Sequence, residues 1–219
     1  MIKRLYILIL VAGFLLPAQA QRGKTFENWF SGAAQIKSND FTFTIEEGWR
    51  IRELYMSRQN YTDLNFSYKF NKHFSASAGY RLALKTSMFN ISEVNNRLYL
   101  DATGSYEVGE IDFSIRLRYQ YTSLGQEDDF SLPSETFFRN RFRAKLKIND
   151  MFSVSASYEM LLIMGPGLNI LTENRPALEL QCKINKKNSI SAGYLIRNYV
   201  QIENPMNIHV VGIDYVYKF

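Results

Sequence analysis

Residues 137–148 read Phe137-Phe138-Arg139-Asn140-Arg141-Phe142-Arg143-Ala144-Lys145-Leu146-Lys147-Ile148. Phe138, Phe142, Ala144, Leu146 and Ile148 share one parity, while Arg139, Arg141, Arg143, Lys145 and Lys147 share the other. Successive side chains on a strand point to opposite faces, so this stretch is a strand with one apolar face and one cationic face. The opposition recurs on either side. In 110–122, Ile111, Phe113, Ile115, Leu117, Tyr119 and Tyr121 oppose Asp112, Ser114, Arg116, Arg118 and Gln120. In 151–163, Phe152, Val154, Ala156, Tyr158 and Met160 oppose Ser153, Ser155, Ser157 and Glu159. The last strand sets Val211, Ile213, Tyr215, Tyr217 and Phe219 against Gly212, Asp214 and Lys218.

Extended along the chain, this period predicts strands over 27–36, 40–52, 60–70, 73–85, 94–107, 110–122, 137–148, 151–163, 173–184, 189–202 and 207–219. Short polar turns at 37–40, 71–72, 108–109, 149–150 and 185–188 alternate with longer links at 53–59, 86–93, 123–136, 164–172 and 203–206. A soluble sandwich would point its apolar face inward and its charges to water. A membrane barrel does the reverse, with tight turns on the periplasmic side and longer loops outside. The two-class links favour the barrel: all-β, transmembrane, antiparallel and up-and-down. Apolar-face aromatics sort the same way, with Phe70, Phe74, Phe152 and Phe219 at the turn rim and Trp49, Tyr119, Tyr121 and Phe138 at the loop rim. Such rings suit the headgroup region.

The first twenty residues carry a basic start (Lys3, Arg4), an apolar stretch from Leu5 to Leu16 and a small-x-small pattern at Ala18-Gln19-Ala20. This predicts a secretory signal peptide cleaved after Ala20, with export to the outer membrane. Setting Lys3 and Arg4 aside leaves 24 basic against 21 acidic residues, a net charge of +3. That modest excess gives no reason to expect nucleic acid as a partner. The single cysteine, Cys182, rules out an intramolecular disulfide. Phe and Tyr number 16 and 14, a load that aromatic girdles would use.

Several segments resemble one known family. Thr62-Asp63-Leu64-Asn65-Phe66-Ser67-Tyr68-Lys69-Phe70-Asn71-Lys72 followed by Phe74 to Arg81 looks like one of its repeating hairpins. Asn96 to Asp101, Arg116 to Tyr121, Arg139-Asn140-Arg141 and the ending from Asn207 to Phe219 look like others. Together they resemble the outer-membrane barrels grouped as domain of unknown function 2490, common in Bacteroidetes-type bacteria. The resemblance implies fold and location but brings no catalytic or ligand residues. Phe219 also looks like the signal read by the barrel-assembly machinery of such membranes.

Eleven strands conflict with the even count usual for bacterial barrels. Either the barrel uses residues 40–219, with 21–39 lying in the lumen or at its mouth, or a further strand makes twelve. The expectation is ten to twelve strands.

The chemistry predicted for the bore is cationic. Arg139, Arg141, Arg143 and Lys145 share an inward face with Arg116, Arg118, Arg97 and Arg50, and about 16 inward basic residues stand against about 9 acidic ones under the barrel face rule. Guanidinium groups can replace part of the hydration of a carboxylate, sulfate or phosphate, so one reading is a narrow channel for small anionic solutes. The alternative is a closed structural or accessory barrel, its cations paired with Glu46, Asp63, Asp101, Asp112, Glu159, Glu179 and Asp214, and its loop 123–136 meeting a partner. A lipid-modifying enzyme is the weakest reading, because His209 faces outward without an evident serine and His73 sits at a turn. No zinc spacing appears, and Glu127, Asp128 and Asp129 lack the EF-hand pattern, so no cofactor or metal is expected. The expected partners are outer-membrane lipid, lipopolysaccharide, the assembly machinery and small anions.

Overall fold

The computed structural model describes residues 24–52, 57–87, 92–125, 134–165, 168–200 and 207–219. They form β1 (Lys24–Ser38), β2 (Phe41–Arg52), β3 (Ser57–Lys69), β4 (Phe74–Ser87), β5 (Ser92–Val108) and β6 (Ile111–Gly125). There follow β7 (Ser134–Lys147), β8 (Phe152–Gly165), β9 (Leu168–Lys183), β10 (Asn188–Tyr199) and β11 (Asn207–Lys218). Each strand pairs with its sequence neighbour in antiparallel register, and β1 meets β11 to close the barrel.

That closure corrects the expectation of a wholly antiparallel barrel. With eleven strands the first and last run in the same direction, so the β1–β11 seam is parallel, from Lys24↔Asn207 to Gln35↔Lys218. Residues 27–36 therefore lie in the wall rather than in the lumen, and the closing ladder has the slanted bonds of a parallel pair. Ser31 reinforces it by donating from its hydroxyl to Asp214 at 2.6 Å.

The short turns use a small set of devices. Asn39 and Gly109 take positive φ values of 51° and 62°, a region that Asn and Gly tolerate best. Asn71 accepts from the backbone N–H groups of His73 and Phe74 through its Oδ1. Asn149 does the same with Met151 and Phe152, and Asn185 with Lys187 and Asn188. An Asx side chain that satisfies two N–H groups in this way stands in for the backbone turn bond.

At the other rim the strands extend further than the alternation predicts. β8 runs to Gly165 and β9 begins at Leu168, so the link expected over 164–172 shortens to 166–167. The acids Glu127, Asp128 and Asp129 and most of loop 123–136 lie outside the described residues.

The polarity is inverted relative to a soluble protein. Large apolar side chains stand exposed on the outer face: Phe66, Leu98, Leu100, Tyr119, Phe142 and Val211 are each 47–61% accessible. Acidic side chains are buried on the inner face, with Glu27, Asp63, Asp101, Glu159 and Glu173 at 4–8%. Of the aromatic positions expected at the rims, Phe70, Phe74, Phe152 and Phe219 are exposed at the turn end and Trp49, Tyr119 and Tyr121 at the loop end, whereas Phe138 is partly covered.

Candidate functional site: a charged bore

The period-two alternation aims one face of each strand into a central cavity of about 990 Å³. Its lining runs from Gln35, near the turn end of β1, to Gln59 and Lys85 at the loop ends of β3 and β4. Arg50, Arg97, Arg116, Arg118, Arg139, Arg141 and Arg143 all line it. Lys145 lies below, where its ammonium donates to Gln181 at 2.7 Å.

Most of these cations are partnered. Glu159 on β8 gathers three guanidinium groups, from Arg116 at 2.6 Å, Arg139 at 2.8 Å and Arg175 at 3.3 Å. Arg175 also donates to Glu173, which takes Arg197 at 2.7 Å. Arg197 reaches Glu27 at 3.4 Å, and Glu27 takes Arg52 at 2.6 Å and the Trp29 indole N–H at 2.8 Å. This relay of alternating charges crosses β6, β7, β8, β9 and β10 and continues over β1 and β2, bracing the parallel seam. Carboxylates of low accessibility persist in such a wall because each is met by two or more charge-assisted bonds.

A second network completes the ring. Arg118 makes a bidentate pair with Asp101 at 2.6 and 2.7 Å and lies over the Tyr99 ring, 3.7 Å from its centroid. The Tyr99 hydroxyl donates to Asp63 at 2.6 Å, and Asp63 also takes Arg81 at 2.7 Å. Tyr61 donates to Glu46 at 2.6 Å. Both tyrosines lie flat over a glycine on the next strand: a Cβ at Gly48 would overlap the Tyr61 ring, and one at Gly79 the Tyr99 ring.

Three arginines are left over. Among the described residues, Arg50, Arg97 and Arg141 make no ion pair. Arg50 has one long bond to Gln59 at 3.4 Å and stacks on Trp29, 4.0 Å from the ring centroid. The Nε atoms of Arg50 and Arg97 are buried and lack an acceptor. The charged groups acting most strongly on Arg97 are the guanidinium groups of Arg139, Arg81, Arg50 and Arg175. The strand registers place arginine directly opposite arginine three times, at Arg81↔Arg97, Arg118↔Arg139 and Arg116↔Arg141. Like charges directly opposite each other are unfavourable.

Of the acids expected as counter-charges, Glu46, Asp63, Asp101, Glu159 and Glu179 do pair with arginine. Asp214 instead accepts from Ser31, and Asp112 Oδ1 has no partner. Glu27 escapes a reading by strands because its tie to Arg197 crosses the closing seam, whereas Glu173 bonds only within β9 and the adjacent β10 and shares the inward parity of Glu179.

The loop half of the bore departs from alternation. Phe137 and Ile163 are direct partners on β7 and β8, and Leu161 stands opposite Arg139. All three line the cavity, with Leu195 and Val210 beyond them. A β-bulge helps: the register shifts between Leu161 and Leu162, leaving Thr172 as an extra residue on β9. Beyond it the inward parity of β9 changes, and Ile170 pairs with Ile163. The parity of Phe137 with Arg139 was the available signal for this patch.

The histidines lie elsewhere. His209 faces outward, bonded through Nδ1 to the Tyr194 hydroxyl at 2.5 Å and stacked on Phe26. His73 bonds the Ser105 carbonyl at 3.0 Å beside the turn and stacks on Tyr106. Cys182 is a half-buried free thiol. Among the described residues, no group of three His, Cys, Asp or Glu side chains is placed to hold a metal ion.

A closed sheet with apolar side chains outside and a charged bore inside defines a β-barrel of inverted polarity. The chain belongs to the family described as proteins of unknown function, DUF2490, whose profile matches residues 26–207. Among solved structures it is similar to the NanC porin in a rhombohedral crystal form, at 12% identity and a TM-score of 0.49, over 78% of this chain and 86% of that one. It is also similar to the translocator domain of the autotransporter NalP from Neisseria meningitidis, at 10% identity and a TM-score of 0.38, over 94% of this chain and 80% of that one. No curated protein sequence matches. The fold assignment rests on the strand registers rather than on either likeness.

Proposed function

We propose that this chain is an exported barrel of a Gram-negative outer membrane whose basic bore passes small anionic solutes. Residues 1–20 act as the cleaved leader, and Phe219 as the mark read by the assembly machinery. The apolar outer face supports a lipid environment, where a closed barrel satisfies every backbone group internally. Strands of 12–17 residues exceed the 9–11 needed to cross at a tilt.

The observation that carries the solute class is the set of three inward arginines without a carboxylate. Arginine that only cements a wall is matched by acids, as Arg118 is by Asp101. Arg50 and Arg97 instead face a cavity and other cations, and Arg141, opposite Glu159 in register, makes no ion pair with it, so an anion in the bore would lower the energy of the barrel. Proteoliposomes test this by comparing uptake of gluconate with that of sorbitol, a neutral polyol of similar size. Gluconate entering several-fold faster is the expected result; equal rates, or no uptake of either, would overturn it.

A second reading, a closed accessory barrel, draws on the relay from Arg116 to Arg52, which braces the wall as a structural element would. On that reading the loop over 123–136 meets the partner, and deleting it abolishes capture by that partner while the barrel still assembles.

A further inference from the structure

The lumen of a passage for hydrophilic anions has no need of inward phenylalanine and isoleucine. Yet Phe137, Leu161 and Ile163 line the loop half of this cavity beside Arg139. Phe137 and Ile163 are only partly covered, so they present surface to the bore. Leu195, partly covered, also lines the cavity.

Arg97 belongs to the same region. Its register partner on β6 is Thr122, whose own partner on β7 is Glu135, two residues from Phe137. Neighbouring strands lie about 4.8 Å apart and each residue rises about 3.3 Å, so the Arg97 and Phe137 backbones are separated by roughly 12 Å, two strands across and two residues along. One arginine side chain and one small aromatic or branched acid span that distance. Arg139, which also lines the cavity, stands on β7 two residues from Phe137. Arg97 has no acceptor of its own among the described residues, and its buried Nε is unpartnered.

We infer that the loop half of the bore is a binding site for small organic anions with an apolar body, the acid group held by Arg97 and the body laid against Phe137, Leu161 and Ile163. A guanidinium fork presents two N–H donors to a carboxylate in one plane, which fixes the orientation of the acid. The apolar wall then distinguishes an aromatic or branched carboxylate from a polyhydroxy acid of equal charge, because only the former loses water-exposed hydrocarbon on binding. The inference rests on an accessible basic bore but does not require passage through it.

Calorimetric titration of the full chain, folded in detergent at pH 7, with benzoate and with gluconate tests the site. Benzoate should bind about tenfold more tightly, the size of effect that covering one ring face supplies. Arg97→Gln should weaken both ligands about tenfold, whereas Ile163→Ser should weaken benzoate alone. Phe137→Ser serves as the second variant if Ile163→Ser fails to assemble. Equal affinities, no heat from either ligand, or Ile163→Ser acting on both alike would each overturn the proposal. The outcomes separate it from the passage reading. Benzoate binding without gluconate uptake in proteoliposomes removes passage and keeps the site; uptake without a benzoate preference removes the site and keeps passage.

Discussion

Arg81 and Arg97 stand directly opposite each other on β4 and β5, and only Arg81 has a carboxylate, Asp63 at 2.7 Å. The pair therefore divides the two roles that arginine plays in this bore. Arg81 holds the wall together, bonding Asp63 and lying over Tyr61, 3.9 Å from the ring centroid. Arg97 contributes positive charge that no ion pair offsets among the described residues. Replacing each one separates the roles.

Arg97→Gln removes a like-charge opposition without stranding an acid, so it should stabilise the barrel by about 0.2–1 kcal/mol. Arg81→Gln leaves Asp63 with Tyr99 as its remaining strong partner and should cost about 1–3 kcal/mol. Urea midpoints of the two variants in the same detergent check the prediction through their opposite signs.

Glu159 is the hub of the relay, bonded to Arg116, Arg139 and Arg175. Glu159→Gln keeps the shape but leaves three cations facing one another, at a cost of about 3–5 kcal/mol. The same change raises the positive potential of the bore. A lower urea midpoint combined with stronger anion preference is the expected signature.

Gly79→Ala places a methyl group where the Tyr99 ring lies, and that ring positions the hydroxyl that donates to Asp63. The overpacking should cost about 1–3 kcal/mol. Pairing it with Tyr99→Ser should recover part of that loss, because the small side chain vacates the space; the double-mutant cycle in urea measures the coupling.

The parallel seam gives a register test. Ser31→Cys with Asp214→Cys joins direct partners and should crosslink under mild oxidation of the folded barrel. Ser31→Cys with Val210→Cys is offset by four residues, because Val210 is the partner of Glu27, and should not. Crosslinking of the offset pair alone would contradict the seam.

The apolar and cationic faces of β7 were legible in the order of its residues, because period two is a local property. So were the inward positions of Arg116, Arg118, Arg139, Arg141 and Arg143, which depend only on parity within β6 and β7. The closing seam was not, because whether β1 joins the wall and which strand it meets depend on closure. The tie from Arg197 to Glu27 was hidden for the same reason. The bulge at Thr172 is a further case: one extra residue changes the inward parity of β9, and nothing in the segment Leu168 to Arg175 marks where the ladder shifts. Partnering is likewise non-local, so alternation reveals an arginine wall but not which arginines are spare.

Selection of anions by the spare positive charge proposed for the bore is read most directly as the zero-current potential of the purified barrel in a planar bilayer under a tenfold KCl gradient. The expected potential has the sign set by chloride, is reduced in Arg97→Gln and fades as salt rises toward 1 M, where the screening length falls to about 3 Å. A potential of the opposite sign, or one that neither Arg97→Gln nor salt alters, would contradict it.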